Sequence, residues 1–85
     1  MEYNQFLTYI LTSVQSFMGP DVQVSLHKVL KNNNIQLDGL MILPPGQNIS
    51  PTIYLNAYYQ DFLNGASLSS IVSAVLEVYE NAVLS

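Results

Sequence analysis

The chain contains no cysteine, no tryptophan and no arginine, and only 9% of its 85 residues are charged. Each absence excludes something. Without cysteine there is neither disulfide nor thiolate, so a chain barely longer than the roughly 70–80 residues below which small scaffolds usually need a staple must rely on packing or oligomerisation. Lys28 and Lys31 stand against six acids, for a net charge of −4. Nucleic-acid binding draws its free energy from counterions displaced by lysine and arginine, so two lysines exclude that ligand class. The acids Glu2, Asp21, Asp38, Asp61, Glu77 and Glu80 are thinly scattered, which disfavours a mimic of DNA. No apolar run approaches the roughly 18–20 residues of a membrane span. Phe6 to Leu11 has an apolar flavour but follows Glu2 and no positive segment, unlike a secretory signal. The expectation is one cytoplasmic domain over residues 1–85, without membrane contact.

What is present is patterned. Tyr3, Leu7, Ile10, Val14 and Phe17 recur at spacings of four and three, which predicts an amphipathic helix from Tyr3 to Met18, ended by Gly19-Pro20. The period then changes to two. Val22, Val24, Leu26 and Leu30 alternate with polar residues, as do Ile35, Leu37, Gly39, Met41 and Leu43 with the residues between them, so two strands are predicted. Asparagine tolerates the left-handed backbone that a two-residue hairpin turn needs, and Asn33-Asn34 is taken as its centre. That register sets Leu30 opposite Leu37, Lys28 opposite Gly39, Leu26 opposite Met41 and Val24 opposite Leu43. It matches the apolar faces and places His27, Val29, Asp38, Leu40 and Ile42 on the outer side.

Pro44-Pro45-Gly46 marks a loop. Beyond it two readings stay open. Ser50-Pro51 can start a helix that runs to Asn64. The β-branched and aromatic Thr52-Ile53-Tyr54-Leu55 favours a third strand at about residues 49–55, followed by a short helix capped by Asn56 and closed by Gly65. Ser67 then caps a second long helix with Leu68, Ile71, Val72, Val75, Leu76, Tyr79 and Val83 on one stripe. The whole reads as α+β, in the order α-β-β-β-α-α, with helices on one face of a small antiparallel three-stranded sheet.

The segment Leu26 to Leu40, with its K-N-N turn, and the segment Asn48 to Asn56, with S-P-T-I-Y-L, resemble an uncharacterised bacterial family. The resemblance covers roughly the whole chain and implies an origin in anaerobic Gram-positive gut bacteria. That family usually carries glycine where Asn34 stands. It supplies no catalytic residues, and its members are often longer, which implies an N-terminal module of a larger protein.

The chemistry-bearing residues are few. His27 is the only histidine, and Asp38 lies diagonal to it and to Lys31 on the outer hairpin face, a small polar cluster rather than a metal site. Ser25 shares that face without a nucleophile elbow. The four glycines are isolated, so no phosphate-binding loop exists. Glu77 and Glu80 share a side of the last helix without a cleft to separate their pKa values. The expectation is no enzyme, no metal and no cofactor.

Tyr54, Tyr58, Tyr59 and Phe62 crowd into nine residues, and tyrosine is enriched in contact surfaces. A small soluble domain usually carries roughly 25–35% charge on its surface, which this composition cannot supply. His27, Val29, Asp38, Leu40, Ile42, Tyr58 and Tyr59 are therefore the candidate interaction surface for a protein partner or homo-oligomer, with strand addition at an open edge as one mode. The alternative reading is a small acidic inhibitor of a nucleic-acid enzyme, encoded by a mobile element.

Overall fold

The structure, a computed structural model, describes residues 1–48 and 50–84. Helix α1 spans Tyr3–Met18, strands β1, β2 and β3 span Gln23–Lys31, Asn34–Leu43 and Thr52–Tyr54, and helices α2 and α3 span Asn56–Leu63 and Leu68–Leu84. The α+β class and element order match those expected. The sheet is antiparallel in the order β1-β2-β3.

At the start of α1, Gln5 Oε1 accepts a hydrogen bond from the Glu2 N–H at 3.0 Å, occupying a donor the helix cannot use internally. Gly19, at φ 85°, ends it with a bond to the Gln15 carbonyl. The buried stripe is Phe6, Leu7, Ile10 and Val14. Phe6 thus joins the core, whereas Phe17 in the last turn is exposed. Ser67 caps α3 as expected, its Oγ accepting from the Ser70 N–H at 3.2 Å, and α3 buries Ile71, Val75 and Tyr79.

The Ser50-Pro51 ambiguity resolves as strand, since Thr52–Tyr54 pairs with Gly39, Leu40 and Met41. Ile49, the expected first residue of that strand, lies outside the described residues. Asn56 is not a cap. Leu55 occupies that position, while the Asn56 side chain accepts a hydrogen bond from the Tyr3 hydroxyl and ties α2 to α1.

The hairpin corrects the expected register. Its two turn residues are Asn32 and Asn33, with φ 52° and 65°, and Lys31 pairs with Asn34. Asn34 is therefore the first residue of β2. Toward the turn, Leu30 faces Ile35 and Lys28 faces Leu37. Beyond a bulge, His27 faces Gly39, Leu26 faces Leu40 and Val24 faces Ile42. Asp38 is the extra residue, and it moves the far half of β2 by one position against β1.

A shift of one residue exchanges the two faces of a strand. Leu40 and Ile42 are fully buried beneath the helices with Ile53 and Leu55, and Met41 and Leu43 are half-buried instead. Two observations account for the outcome. Turning Leu40 and Ile42 inward stabilises the fold by about 1.5–3 kcal/mol for each side chain. Gly39 stands where β3 approaches, and a Cβ there would lie 2.1 Å from the Ile53 carbonyl oxygen, so no larger residue fits.

Candidate functional site

The bulge that buries Leu40 and Ile42 also brings an imidazole and a carboxylate into contact. In an antiparallel bulge two residues oppose one, and here Asp38 and Gly39 share His27 as their neighbour. The Asp38 side chain lands on the outer sheet face, with Oδ1 2.6 Å from His27 Nδ1. Its backbone carbonyl points to the other side of β2 and accepts from the Leu55 N–H at 3.0 Å. Tyr54, opposite Gly39 on β3, sets its ring edge-on to the imidazole at a centroid distance of 5.9 Å. The pair is about a fifth exposed, 23% for His27 and 20% for Asp38. Lys31 sits at the exposed turn opposite Asn34 and does not complete the expected trio.

This pair holds an imidazole in a fixed orientation, as the acid does in a hydrolytic triad. Among the described residues no side-chain hydrogen bond joins His27 to a hydroxyl, and no group of three or more His, Asp or Glu side chains converges as a metal ion requires. The arrangement orients a ring on an open sheet face.

The remaining candidate residues scatter. Leu40 and Ile42 belong to the core. Tyr59 is built into an aromatic cluster between α1 and α2, its ring 5.1 Å from both Tyr3 and Phe6 and its hydroxyl donating to the Met1 carbonyl at 2.9 Å. Tyr58 is half-buried against the core. Val29, half-buried, faces Gln36 across the hairpin. Of the seven residues expected to form one surface, only His27 and Asp38 are shown in contact, and Val29 is their near neighbour along β1.

An apolar surface does exist, elsewhere. Leu30 and Ile35 face each other next to the turn and are 74% and 72% exposed. Beside them runs a groove lined by Tyr3, Asn4, Ile35, Gln36 and Leu37. Partial burial there pushes the Tyr3 hydroxyl above its usual pKa of 10, and the negative charge of Asp38 adds to the rise. Sequence reasoning missed Leu30 and Ile35 because it placed them in the core-facing stripe. They do share that face with Leu26 and Leu40 but lie at the turn end of the hairpin, where the core no longer covers them, and alternation alone carries no signal of that.

The chain is thus an α+β domain whose three-stranded meander carries α1 and α3 on one face. It belongs to a family of unknown function, DUF5688, which matches residues 3–84. No curated protein and no solved structure matches it significantly. No helix among the described residues is long and apolar enough to cross a membrane.

Proposed function

We propose that this domain is a non-enzymatic protein-interaction module that docks through the free end of its β1–β2 hairpin. One observation carries the reading: Leu30 and Ile35 project as an opposed apolar pair, each more than 70% exposed, in a chain with few ions to hydrate its surface. Burying such a pair on a partner recovers about 1.5–3 kcal/mol per side chain. The lack of a nucleophile at His27 favours docking over catalysis, and the shortage of cations favours a protein over nucleic acid as the thing bound. A cytoplasmic setting fits the absence of cysteine. The inhibitor reading draws support only from size and acidity, and the acids are spread over the fold, with Glu2 before α1, Asp21 before β1, Asp38 on β2, Asp61 on α2 and Glu77 and Glu80 on α3.

The test is site-specific photo-crosslinking in the producing cell. A photoreactive residue at position 35 gives discrete crosslinked products, the exposed Ser73 of α3 gives none, and Leu30→Ser removes those from position 35. Equal labelling from the two positions would discard the hairpin as a docking surface.

A further inference from the structure

We infer that the outward edge of β1, from Leu26 to Leu30, accepts an added strand from an acidic extended segment of another protein; this rests on the hairpin reading above and gives the partner its chemistry. The edge is defined by hydrogen bonding. Among the described residues β1 pairs with β2 alone. The Val24 N–H points away from β2 and donates to Gln15 Oε1 on α1 at 3.1 Å. Backbone direction alternates along a strand, and the bulge lies in β2, so Leu26, Lys28 and Leu30 also present their N–H and C=O groups outward.

Gln15 acts as a substitute strand at the beginning of this edge. Its Nε2 donates to the carbonyls of Val22 at 2.7 Å and Gly19 at 2.9 Å. Past Val24 the substitution stops. Among the described residues no side chain or loop bonds the outward groups of Leu26, Lys28 or Leu30, which leaves a template for strand addition.

Charge selects the occupant. Lys28 and Lys31 are the only lysines of the chain, both lie on β1, and β1 contains no acid. A second copy added antiparallel to the same edge would bring four lysines into one ladder without a carboxylate on either strand, and like charges across strands are destabilising. An acidic segment meets the opposite sign. Alternation fixes its pattern further. The residue opposite Leu30 shares a face with Leu30 and Ile35, the residue two positions on opposes Lys28 on that face, and the residue just before opposes Lys31. The recognised order is acid, apolar residue, any residue, acid.

The probe is the capped octapeptide Thr-Thr-Glu-Ile-Val-Glu-Thr-Thr, titrated into the isotope-labelled full chain and followed by amide NMR. The amides of Leu26, Lys28 and Leu30 shift and exchange with solvent about tenfold more slowly, while those of His27 and Val29, already bonded to β2, change little. The same peptide with lysine for both glutamates has no effect. Lys28→Pro removes the outward N–H together with one charge and abolishes the slowed exchange at Leu26 and Leu30, which Lys28→Gln, losing the charge alone, retains. Lys28→Glu with Lys31→Glu, which keeps every backbone donor, weakens the acidic peptide about tenfold and admits the lysine version. No binding at millimolar peptide, or binding that leaves those three amides unchanged, overturns strand addition. Binding that survives Lys28→Pro but is lost in Leu30→Ser with Ile35→Ser also overturns it, and leaves hairpin docking intact.

Discussion

Asp38 reaches His27 because it is the residue that β2 has in excess over β1, and the 2.6 Å contact between their side chains reports the same irregularity that turns Leu40 and Ile42 into the core. The side-chain contact and the bulge are therefore separable. Asp38→Ala removes the carboxylate but keeps the extra residue, and a partly exposed pair is worth about 1 kcal/mol or less. Deleting Asp38 removes the register shift itself, so β2 can no longer match β1 at the turn and β3 at Gly39 at once. The expected result is a folded Asp38→Ala with a slightly lowered melting temperature, against a deletion that shows no cooperative thermal transition by circular dichroism.

The turn gives a second contrast, between adjacent asparagines. Asn33 adopts φ 65°, where glycine avoids a steric cost of about 1–2 kcal/mol for ordinary residues and less for asparagine. Asn34 is in β2, where glycine loses about 0.5–1 kcal/mol through its greater backbone freedom. Asn33→Gly is expected to stabilise the protein by up to about 1 kcal/mol, and Asn34→Gly to destabilise it by about as much. Urea unfolding of the two variants reads the sign directly. The reverse order would restore the register centred on Asn33-Asn34.

The faces of the hairpin can be assayed by truncation. Leu40→Ala and Ile42→Ala each empty a fully buried position and are expected to cost about 2–5 kcal/mol. Leu30→Ser and Ile35→Ser act on side chains that are mostly in water and should change stability by no more than about 0.5 kcal/mol. Denaturation midpoints of the four variants would settle which pair is core. Comparable losses in all four would contradict the observed packing.

How far the fold was legible follows from these same residues. Periods of 3.6 and 2 identified the two long helices and the two long strands, because they need only the alternation of apolar and polar side chains, whereas the short helix was read from its end signals at Asn56 and Gly65. Phe6 fell outside the chosen stripe and Phe17 inside it, since periodicity sets a helix face but not where the sheet beneath it ends. The hairpin was legible as a hairpin and misread in register. Three consecutive asparagines allow more than one turn, and matching apolar residues assumed an unbroken ladder. The bulge at Asp38 is recorded in sequence only by Gly39, whose necessity appears when β3 is placed 2.1 Å from the Cβ it lacks. The candidate surface inherited that slip. His27 with Asp38 survived it because the bulge keeps both on the outer face, whereas Leu40 and Ile42 changed sides.

Tyr3 links the hairpin end to the helices and supplies a pH-dependent prediction. Its hydroxyl donates to Asn56, and burial, followed by the charge of Asp38, raises its pKa above 10. The folded state therefore holds this proton more tightly than the unfolded chain. Its contribution to stability is fully present below pH 10 and is lost as the pH climbs through the raised value, because there the unfolded state binds fewer protons. Tyr3→Phe removes both the titrating group and the hydrogen bond. At neutral pH the variant is expected to be less stable by about 0.5–1.5 kcal/mol, while between pH 9 and 12, from roughly one unit below to two units above an ordinary tyrosine, its stability should fall less steeply than that of the parent. Urea midpoints measured in parallel across that range cancel the titration of the other tyrosines common to both proteins. Parallel curves would show that Tyr3 titrates alike in the folded and unfolded chains.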